Sequence, residues 1–297
     1  MAVSGILVMD KPQGFTSFDV IGKLRGILKM KKLGHTGTLD PMATGVLPVL
    51  VGTAARACDI LPDARKAYRA GFQLGKVTDT QDSTGTVLRE TPFSVSREDI
   101  LRILPAFTGL IDQIPPMYSA VQINGRRLYE LARAGREIER PARQVQVESL
   151  TLEDFDEVRG SGTLSVCCGK GTYVRTLIHD IGQRLSCGAC MTALTRTMAC
   201  GFTLAEAHGF EEVQQAAEQD ALSGLIIPTD RLFAGLPALR LNAAQSRMYA
   251  NGVRLTLSRL NLPEAADRMR VYSDSGQFFG LAEPDREAGV LRVYKNL

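Results

Sequence analysis

The residues whose types could do chemistry lie in one loop, residues 34–48. Its sequence is Gly-His-Thr-Gly-Thr-Leu-Asp-Pro-Met-Ala-Thr-Gly-Val-Leu-Pro, and it holds the imidazole of His35 and the carboxylate of Asp40. Its glycines allow the backbone to approach a ligand closely. Pro41 favours extended geometry for Asp40 and removes the next backbone donor. A bent loop could place His35 and Asp40 in one pocket. A structural turn, with Asp40 as a local cap, is the alternative on composition alone.

A second candidate is Cys187-Gly188-Ala189-Cys190, which has the spacing of a thiol redox motif. Such a pair at the start of a helix can carry a lowered thiol pKa. Here the pair follows the end of a predicted helix, so we expect buried or incidental cysteines. Six cysteines in a chain of 297 residues are too sparse for a disulfide scaffold, which favours a reduced, cytoplasmic setting.

Several familiar sites are missing from the sequence. It has no Gly-x-x-x-x-Gly-Lys-Ser/Thr phosphate loop, and Gly169-Lys170-Gly171 lacks the third glycine of a dinucleotide fingerprint. The histidines and cysteines show no zinc-ligand spacing. For His179 and His208 we expect structural roles.

The composition is that of an ordinary globular protein, with 44% hydrophobic and 23% charged residues and a formal net charge of +3. Aromatic residues make up 6% and Trp is absent, which argues against a stacking-rich binder of single strands. No stretch approaches the roughly 20 apolar residues of a membrane helix. The first residues show no secretory signal.

Strands and helices alternate around the candidate loop. Apolar spacing and capping residues predict helices at 17–30 (capped by Ser17), 96–107 (capped by Ser96), 128–134, 172–185 and 211–221. Alternation and turn signals predict strands at 5–10, 67–74, 85–89, 145–155, 162–168 and 193–200, with 79–85 as the turn between the second and the third.

The pattern changes after residue 235. Residues 236–297 hold nine of the 35 basic residues and six of the 32 acidic ones, which accounts for the whole net charge of +3. Short strands with turn signals predict a small all-β domain, with 271–273 and 278–282 as a hairpin. We therefore predict two domains, 1–235 and 236–297.

Residues 34–48 closely resemble the catalytic motif of the TruB family, the tRNA pseudouridine-55 synthases. The resemblance extends from about residue 5 to 232, with departures at Thr38, Met42 and Gly169 that remove no reactive group. Residues 236–297 resemble a PUA domain more loosely, in position, size and β texture. The other matching segments are Lys11-Pro12-Gln13-Gly14, Lys66-Ala67-Tyr68-Arg69, Thr78-Asp79-Thr80-Gln81-Asp82 with Gly85, Ile114-Pro115-Pro116-Met117-Tyr118-Ser119-Ala120 and Lys170-Gly171-Thr172-Tyr173-Val174-Arg175-Thr176.

The resemblance implies an α+β fold. A mixed, largely antiparallel sheet with flanking helices would form the pseudouridine synthase core, with an RNA-clamping insertion at about 113–143. A small PUA-like β-barrel would follow at the C-terminus and bind RNA.

The resemblance also implies an activity. The enzyme would isomerise uridine to pseudouridine at position 55 in the T-loop of tRNA, breaking the N1–C1′ bond and forming a C5–C1′ bond. The target base must be flipped out of the folded loop. No cofactor and no metal are expected. The T-arm of tRNA is the expected partner, with no membrane and no required protein partner, and we expect a monomer.

The same resemblance assigns roles to residues. Asp40 would be the essential carboxylate, either as nucleophile at C1′ or as base at C2′. Arg175 would counter its charge, and Tyr68 would stack on the target base and could take part in proton transfer. Tyr173 and Leu194 would line the base pocket, and His35 would contact the flipped region. RNA contacts are expected from Lys11, Lys31, Lys32, Arg126, Arg127 and Lys170.

Two other functions stay open. A catalytically silent RNA-binding protein of the same fold would have no need to keep Asp40, Tyr68 and Arg175 together. A thiol oxidoreductase would act through Cys187 and Cys190 and would respond to a dithiol reductant.

Overall fold

The computed structural model describes residues 4–62, 65–262 and 266–297. Its helices are α1 (Ser17–Ile27), α2 (Arg97–Ile103), α3 (Leu128–Arg133), α4 (Val174–Arg184), α5 (Phe210–Glu218) and α6 (Ala243–Ala250). Its strands are β1 (Gly5–Lys11), β2 (Leu33–His35), β3 (Thr44–Val51), β4 (Lys66–Leu74), β5 (Lys76–Thr78), β6 (Val87–Glu90), β7 (Gly109–Gln113), β8 (Gln122–Ile123), β9 (Arg126–Arg127), β10 (Arg143–Asp156), β11 (Ser161–Cys168), β12 (Ala189–Ala199), β13 (Phe202–Thr203), β14 (Ala238–Arg240), β15 (Leu255–Thr256), β16 (Met269–Tyr272), β17 (Phe278–Asp285) and β18 (Val290–Asn296).

A nine-stranded sheet forms the larger part of the molecule, in the order β1-β3-β12-β4-β11-β10-β7, with β2 beside β3 and β13 beside β12. Its described strand pairs are antiparallel except β3 and β12, which run parallel at Thr44–Thr195 and Gly45–Arg196. This confirms the mixed, largely antiparallel sheet. The short parallel pairing lies where the loop that carries Asp40 enters β3.

Helices pack on the sheet because the strand residues that face these helices are apolar. Leu177 and Ile181 of α4 pack in the cluster that contains Phe72 of β4. Leu24 of α1 and Val213 of α5 pack with alternate residues of β1 and β3. Among the described helices, none is both long and apolar enough to cross a membrane.

The C-terminal residues form a curled five-stranded sheet in the order β14-β16-β17-β18-β15, a half-barrel consistent with a PUA-like domain. Strands β16 and β17 confirm the predicted hairpin. The prediction of an all-β domain is wrong, because α6 lies within it. An Asn242–Gln245 capping box opens this helix, and that pattern was visible in the sequence. Phe278 and Leu281 of β17 pack against Phe233, so this sheet shares a core with the larger one.

Local structure around the candidate loop differs from the prediction in three places. The cap of α1 is Thr16 and not Ser17, because Thr16 and Asp19 form a reciprocal capping box. The predicted loop 34–48 includes the end of β2 and the start of β3, since its Val-Leu-Pro end pairs with β1. Residues 79–85 join β5 to β6 and not β4 to β6.

Candidate active site

The candidate loop is held by backbone and side-chain hydrogen bonds on both sides of Asp40. The Ser17 hydroxyl accepts from the Leu39 N–H at 2.8 Å, and Leu39 itself is buried in the core. After Asp40, the Gly14 N–H donates to the Pro41 carbonyl at 2.8 Å. Ser17 is free for this contact because Thr16 caps the helix. The start of α1 therefore positions the loop, and the Asp40 side chain remains 36% exposed.

Arg196 lies beneath the same loop and is fully buried. Its guanidinium donates from Nε to the Val46 carbonyl at 2.7 Å and from Nη2 to the Gly37 carbonyl at 3.2 Å. Its backbone leaves no room beside Gly45, where a Cβ would lie 2.3 Å from the Arg196 carbonyl oxygen. Sequence analysis missed Arg196. The sequence did hold a signal for it. Residues two apart in a strand point to the same face, so Arg196 shares the face of Leu194, which is expected to be buried.

Lys11 is also fully buried. Its Nζ donates to the carbonyls of Phe15 at 2.6 Å, Pro12 at 3.0 Å and Pro41 at 3.4 Å. Burial lowers the pKa of Lys11 to about 8, and the negative charge of Asp40 opposes that shift. The RNA contact expected for Lys11 does not fit this buried position. Its ammonium connects the turn that contains Pro12 and Phe15 to Pro41 of the candidate loop, and it is not accessible to RNA.

Arg175 forms an ion pair with Asp40, with 2.9 Å between Nε and Oδ2. The Arg175 side chain is 6% exposed, and the residue lies in the first turn of α4. Nη1 donates to the Thr80 carbonyl and Nη2 to the Tyr118 carbonyl, each at 3.0 Å. Three separate segments of chain therefore meet at this one side chain, which leaves it little freedom to leave Asp40.

A second carboxylate, Asp82, lies 3.9 Å from Arg175 Nε and is 6% exposed. Its Oδ1 accepts from the hydroxyls of Thr80 at 2.8 Å and Thr84 at 2.6 Å, and from the Thr84 N–H at 3.0 Å. The sequence places Asp82 only within a segment that matches the family and predicts no role for it. Both carboxylates lie near the same guanidinium, but the Asp82 side chain is enclosed, whereas the Asp40 side chain is 36% exposed and accessible to a substrate.

Tyr68 lies on β4, directly opposite Arg196 of β12 in the sheet register. It is buried in the cluster that contains Leu39 and Leu194. Burial raises the pKa of Tyr68 to about 12, and a contact with Arg196 opposes the rise. The phenol is therefore protonated near neutral pH. Tyr68 and Leu194 thus lie together in the core beside the loop of Asp40, and their role in a base pocket stays a prediction.

His35 ends β2 at the entrance to the loop. Its Nδ1 accepts from the Gly37 N–H at 3.3 Å. Burial lowers the pKa of His35, and the charge of Arg196 adds to the effect. The imidazole is therefore neutral near pH 7, and its contact with RNA would be that of a neutral hydrogen-bonding ring.

Tyr173 immediately precedes α4, two residues before Arg175. Its backbone N–H donates to Oε1 of Gln113 at 2.9 Å, and its carbonyl accepts from Nε2 of Gln113 at 3.1 Å. The remaining predicted RNA contacts apart from Lys11, namely Lys31, Lys32, Arg126, Arg127 and Lys170, are exposed.

The two candidate redox cysteines are buried where α4 leads into β12. Burial raises the pKa of both Cys187 and Cys190. The reactive form of cysteine is the thiolate, which is disfavoured in such surroundings. The geometry therefore favours structural cysteines and gives the thiol oxidoreductase alternative no support.

Comparison with known proteins gives a consistent result. Residues 25–174 match the model of the TruB family pseudouridylate synthase N-terminal domain, and residues 175–234 match that of the tRNA pseudouridylate synthase B C-terminal domain. A tRNA pseudouridine synthase B from Thiobacillus denitrificans is 45% identical over 293 residues, covering 98% of this chain and 94% of that protein. One from Clostridium perfringens strain 13 is 41% identical over 291 residues, covering 96% of each.

Solved structures resemble the fold. A chain in the crystal structure of a Cbf5-Nop10-Gar1 complex superposes with a TM-score of 0.74 at 24% identity, covering 98% of this chain and 84% of that one. The two matched family segments meet between Val174 and Arg175, inside the candidate site.

Proposed function

The chain belongs to the TruB family of pseudouridylate synthases, and we propose that it acts on the uridine at position 55 in the T-loop of tRNA, with Asp40 as its essential carboxylate. Its activity is the isomerisation of uridine to pseudouridine in tRNA. The observation that carries the assignment of the carboxylate is the 2.9 Å contact between Asp40 and Arg175. The silent RNA-binding alternative is set aside by the family match together with this pair.

The reaction breaks the N1–C1′ bond, turns the base and joins C5 to C1′. Asp40 has an exposed carboxylate surface and a buried counterion, so it can approach the ribose while its charge stays balanced. It can act as nucleophile at C1′ or as base at C2′. Tyr68, protonated and buried beside the loop, would offer a flat surface to the flipped base and a phenolic proton.

Binding would use exposed cations around the site. Lys31 and Lys32 follow α1, Arg126 and Arg127 form β9 in the insertion 113–143, and Lys170 precedes α4. Phosphate contacts by such side chains position an RNA without reading its sequence. We propose that these residues hold the T-arm while the base is flipped, and that the division at residue 235 separates the catalytic domain from an RNA-binding domain. We expect the enzyme to work as a monomer.

The proposed function is tested with purified protein and an unmodified tRNA transcript, in EDTA and without any added cofactor. Chemical mapping should detect pseudouridine at position 55 and nowhere else. A transcript with cytidine at that position serves as the matched control and should stay unmodified. Pseudouridine at another position would contradict the T-loop assignment, and dependence on a metal would contradict the cofactor-free reaction.

A prediction about RNA binding follows from the exposed arginines of β9. Replacing Arg126 and Arg127 by alanine removes two candidate phosphate contacts. We expect the slope of the logarithm of the tRNA binding constant against log salt to become about two units less steep. The reason is that tRNA binding releases roughly one counterion for each phosphate contact, and two contacts are removed. Arg159→Ala is the control, since Arg159 is exposed at the opposite end of the β10–β11 hairpin from Lys170. Equal slopes in the double variant and wild type would remove β9 from the binding surface.

A further inference from the structure

The root of the insertion 113–143 is attached to the catalytic site at two points. At the first, the Gln113 side chain bonds both the N–H and the carbonyl of Tyr173, at 2.9 and 3.1 Å. At the second, the Tyr118 carbonyl accepts from Arg175 Nη2 at 3.0 Å. Residues 113–118 therefore connect Tyr173, which is predicted to line the base pocket, with Arg175 of the ion pair.

This segment is stiff. Pro115 and Pro116 lie in its middle, and proline holds φ near −65° while restricting the preceding residue to extended geometry. Because residues 113–118 are stiff and are attached at Gln113 and at Tyr118, a displacement at one of these residues also moves the other. We call residues 113–118 the strut.

The strut is also attached to the part of the insertion that carries the exposed arginines. Met117 packs with Leu128 and Leu131 of α3 in a small core of the insertion's own. The Tyr129 N–H donates to the Ser119 carbonyl at 3.0 Å, immediately after the strut. Contacts therefore run without a break from β9 and α3, through the strut, to Arg175 and Asp40.

Gln113 is the residue that ties this strut to α4. Its side chain is buried, with the residue 2% exposed, at the last position of β7. A glutamine amide can donate and accept at once, which is what the N–H and carbonyl of a single backbone residue require. Neither hydrogen bond is part of the sheet, so β7 pairing with β10 does not explain this side chain.

We propose that Gln113 is a positioning residue for pseudouridine formation: it anchors the strut so that RNA held by the insertion sets Tyr173 and Arg175 against Asp40. Gln113 does not touch the reacting atoms. The proposal rests on the proposed function of the Asp40–Arg175 site. It assigns the insertion a role in the chemical step as well as in binding.

The test uses full-length Gln113→Glu. The glutamate keeps the length and accepts from the Tyr173 N–H, but its carboxylate cannot donate to the Tyr173 carbonyl. At about pH 8 we expect the single-turnover rate at saturating tRNA to fall about tenfold or more with tRNA affinity unchanged, since small misplacements are costly in catalysis. Protonated glutamate resembles glutamine in shape and bonding. Because burial favours the neutral acid, the rate relative to wild type should recover as the pH is lowered toward about 6.

Two variants complete the experiment. Gln144→Glu introduces the same charge at an exposed position of β10, which pairs with the residue before Gln113, and should match wild type at every pH. Gln113→Met removes both hydrogen bonds without a charge and should be slow at every pH.

The outcomes decide between the readings. A Gln113→Glu rate equal to wild type at all pH values would overturn the inference, while wild-type activity in the same assay leaves the proposed function intact. Loss of tRNA affinity in place of rate would overturn it too. Unfolding of Gln113→Glu as the pH rises, with an unchanged rate for the folded fraction, would show that Gln113 holds the fold and not the site.

Discussion

The Asp40→Asn enzyme is expected to fold and to bind tRNA as wild type does, but to form no detectable pseudouridine. The loop is held by Ser17, Lys11 and Arg196 through backbone atoms, and the asparagine oxygen can still accept from Arg175 Nε. An amide cannot attack C1′ and is too weak a base for the C2′ proton. Loss of a general base costs roughly 10²–10⁴-fold, and loss of a covalent nucleophile can cost more.

Melting temperature, tRNA affinity and single-turnover rate should be measured on the same preparation. Asp154→Asn is the matched control, because Asp154 is exposed on β10 within the same sheet. If Asp40 were only a structural cap, the variant would melt earlier and keep activity in proportion to its folded fraction. A loss of turnover of only about tenfold or less would mean that Asp40 is not the catalytic carboxylate. Such a loss is smaller than the roughly 10²–10⁴-fold loss expected on removal of a general base.

Arg175→Lys is expected to lower the single-turnover rate by about 10²-fold, comparable to the loss of one preorganised catalytic donor. The arginine contacts Asp40 and the carbonyls of Thr80 and Tyr118 from three different nitrogens. A lysine has one ammonium and cannot reproduce this planar arrangement. The Thr80 and Tyr118 carbonyls, both on partly buried residues, would lose their partner, which should also lower the free energy of unfolding.

The control for this variant is Arg69→Lys, on the same strand as Tyr68. Arg69 pairs with Glu153 at 2.6 Å but is 61% exposed, and such surface pairs contribute little. We expect wild-type rate and melting temperature for it. A wild-type rate in Arg175→Lys at saturating tRNA would show that the guanidinium is not needed to orient Asp40 for the chemical step.

Asp82 adds a second carboxylate beside Arg175. One guanidinium faces two carboxylates, and the enclosed one is satisfied by Thr80 and Thr84. Asp82 therefore places a second, enclosed negative charge 3.9 Å from Arg175 Nε. Because the Arg175 side chain is 6% exposed, solvent screens its interaction with these carboxylates less than it would screen a surface pair.

The sequence by itself predicted most strands and helices of the core and the candidate loop, but it did not predict the buried strand β3 or the strand β7. Strand β4 was predicted to within one residue and helix α2 at its Ser96 cap, because apolar period and capping residues are local signals. The predicted end of that helix was wrong, since α2 ends at Ile103 and a 3-10 turn continues to Phe107. The family resemblance pointed to Asp40, Tyr68 and Arg175, and the structure brings these residues together. Helix α6 was not predicted, although its Asn242–Gln245 capping box is a local signal, because Asn251-Gly252 and the other turn signals after it are typical of short strands.

Only the tertiary structure decided which charged residues lie inside. The sequence suggests that Lys11 is a surface cation, but it is buried against three carbonyls. Arg196 was not predicted to have a role, but it is buried beneath the candidate loop and donates to the Val46 carbonyl. Gln113 and Tyr173 are 60 residues apart, yet they form a two-point contact. The physical reason is that burial of a polar group depends on partners supplied by distant segments, and a one-dimensional pattern carries no information about which segments meet.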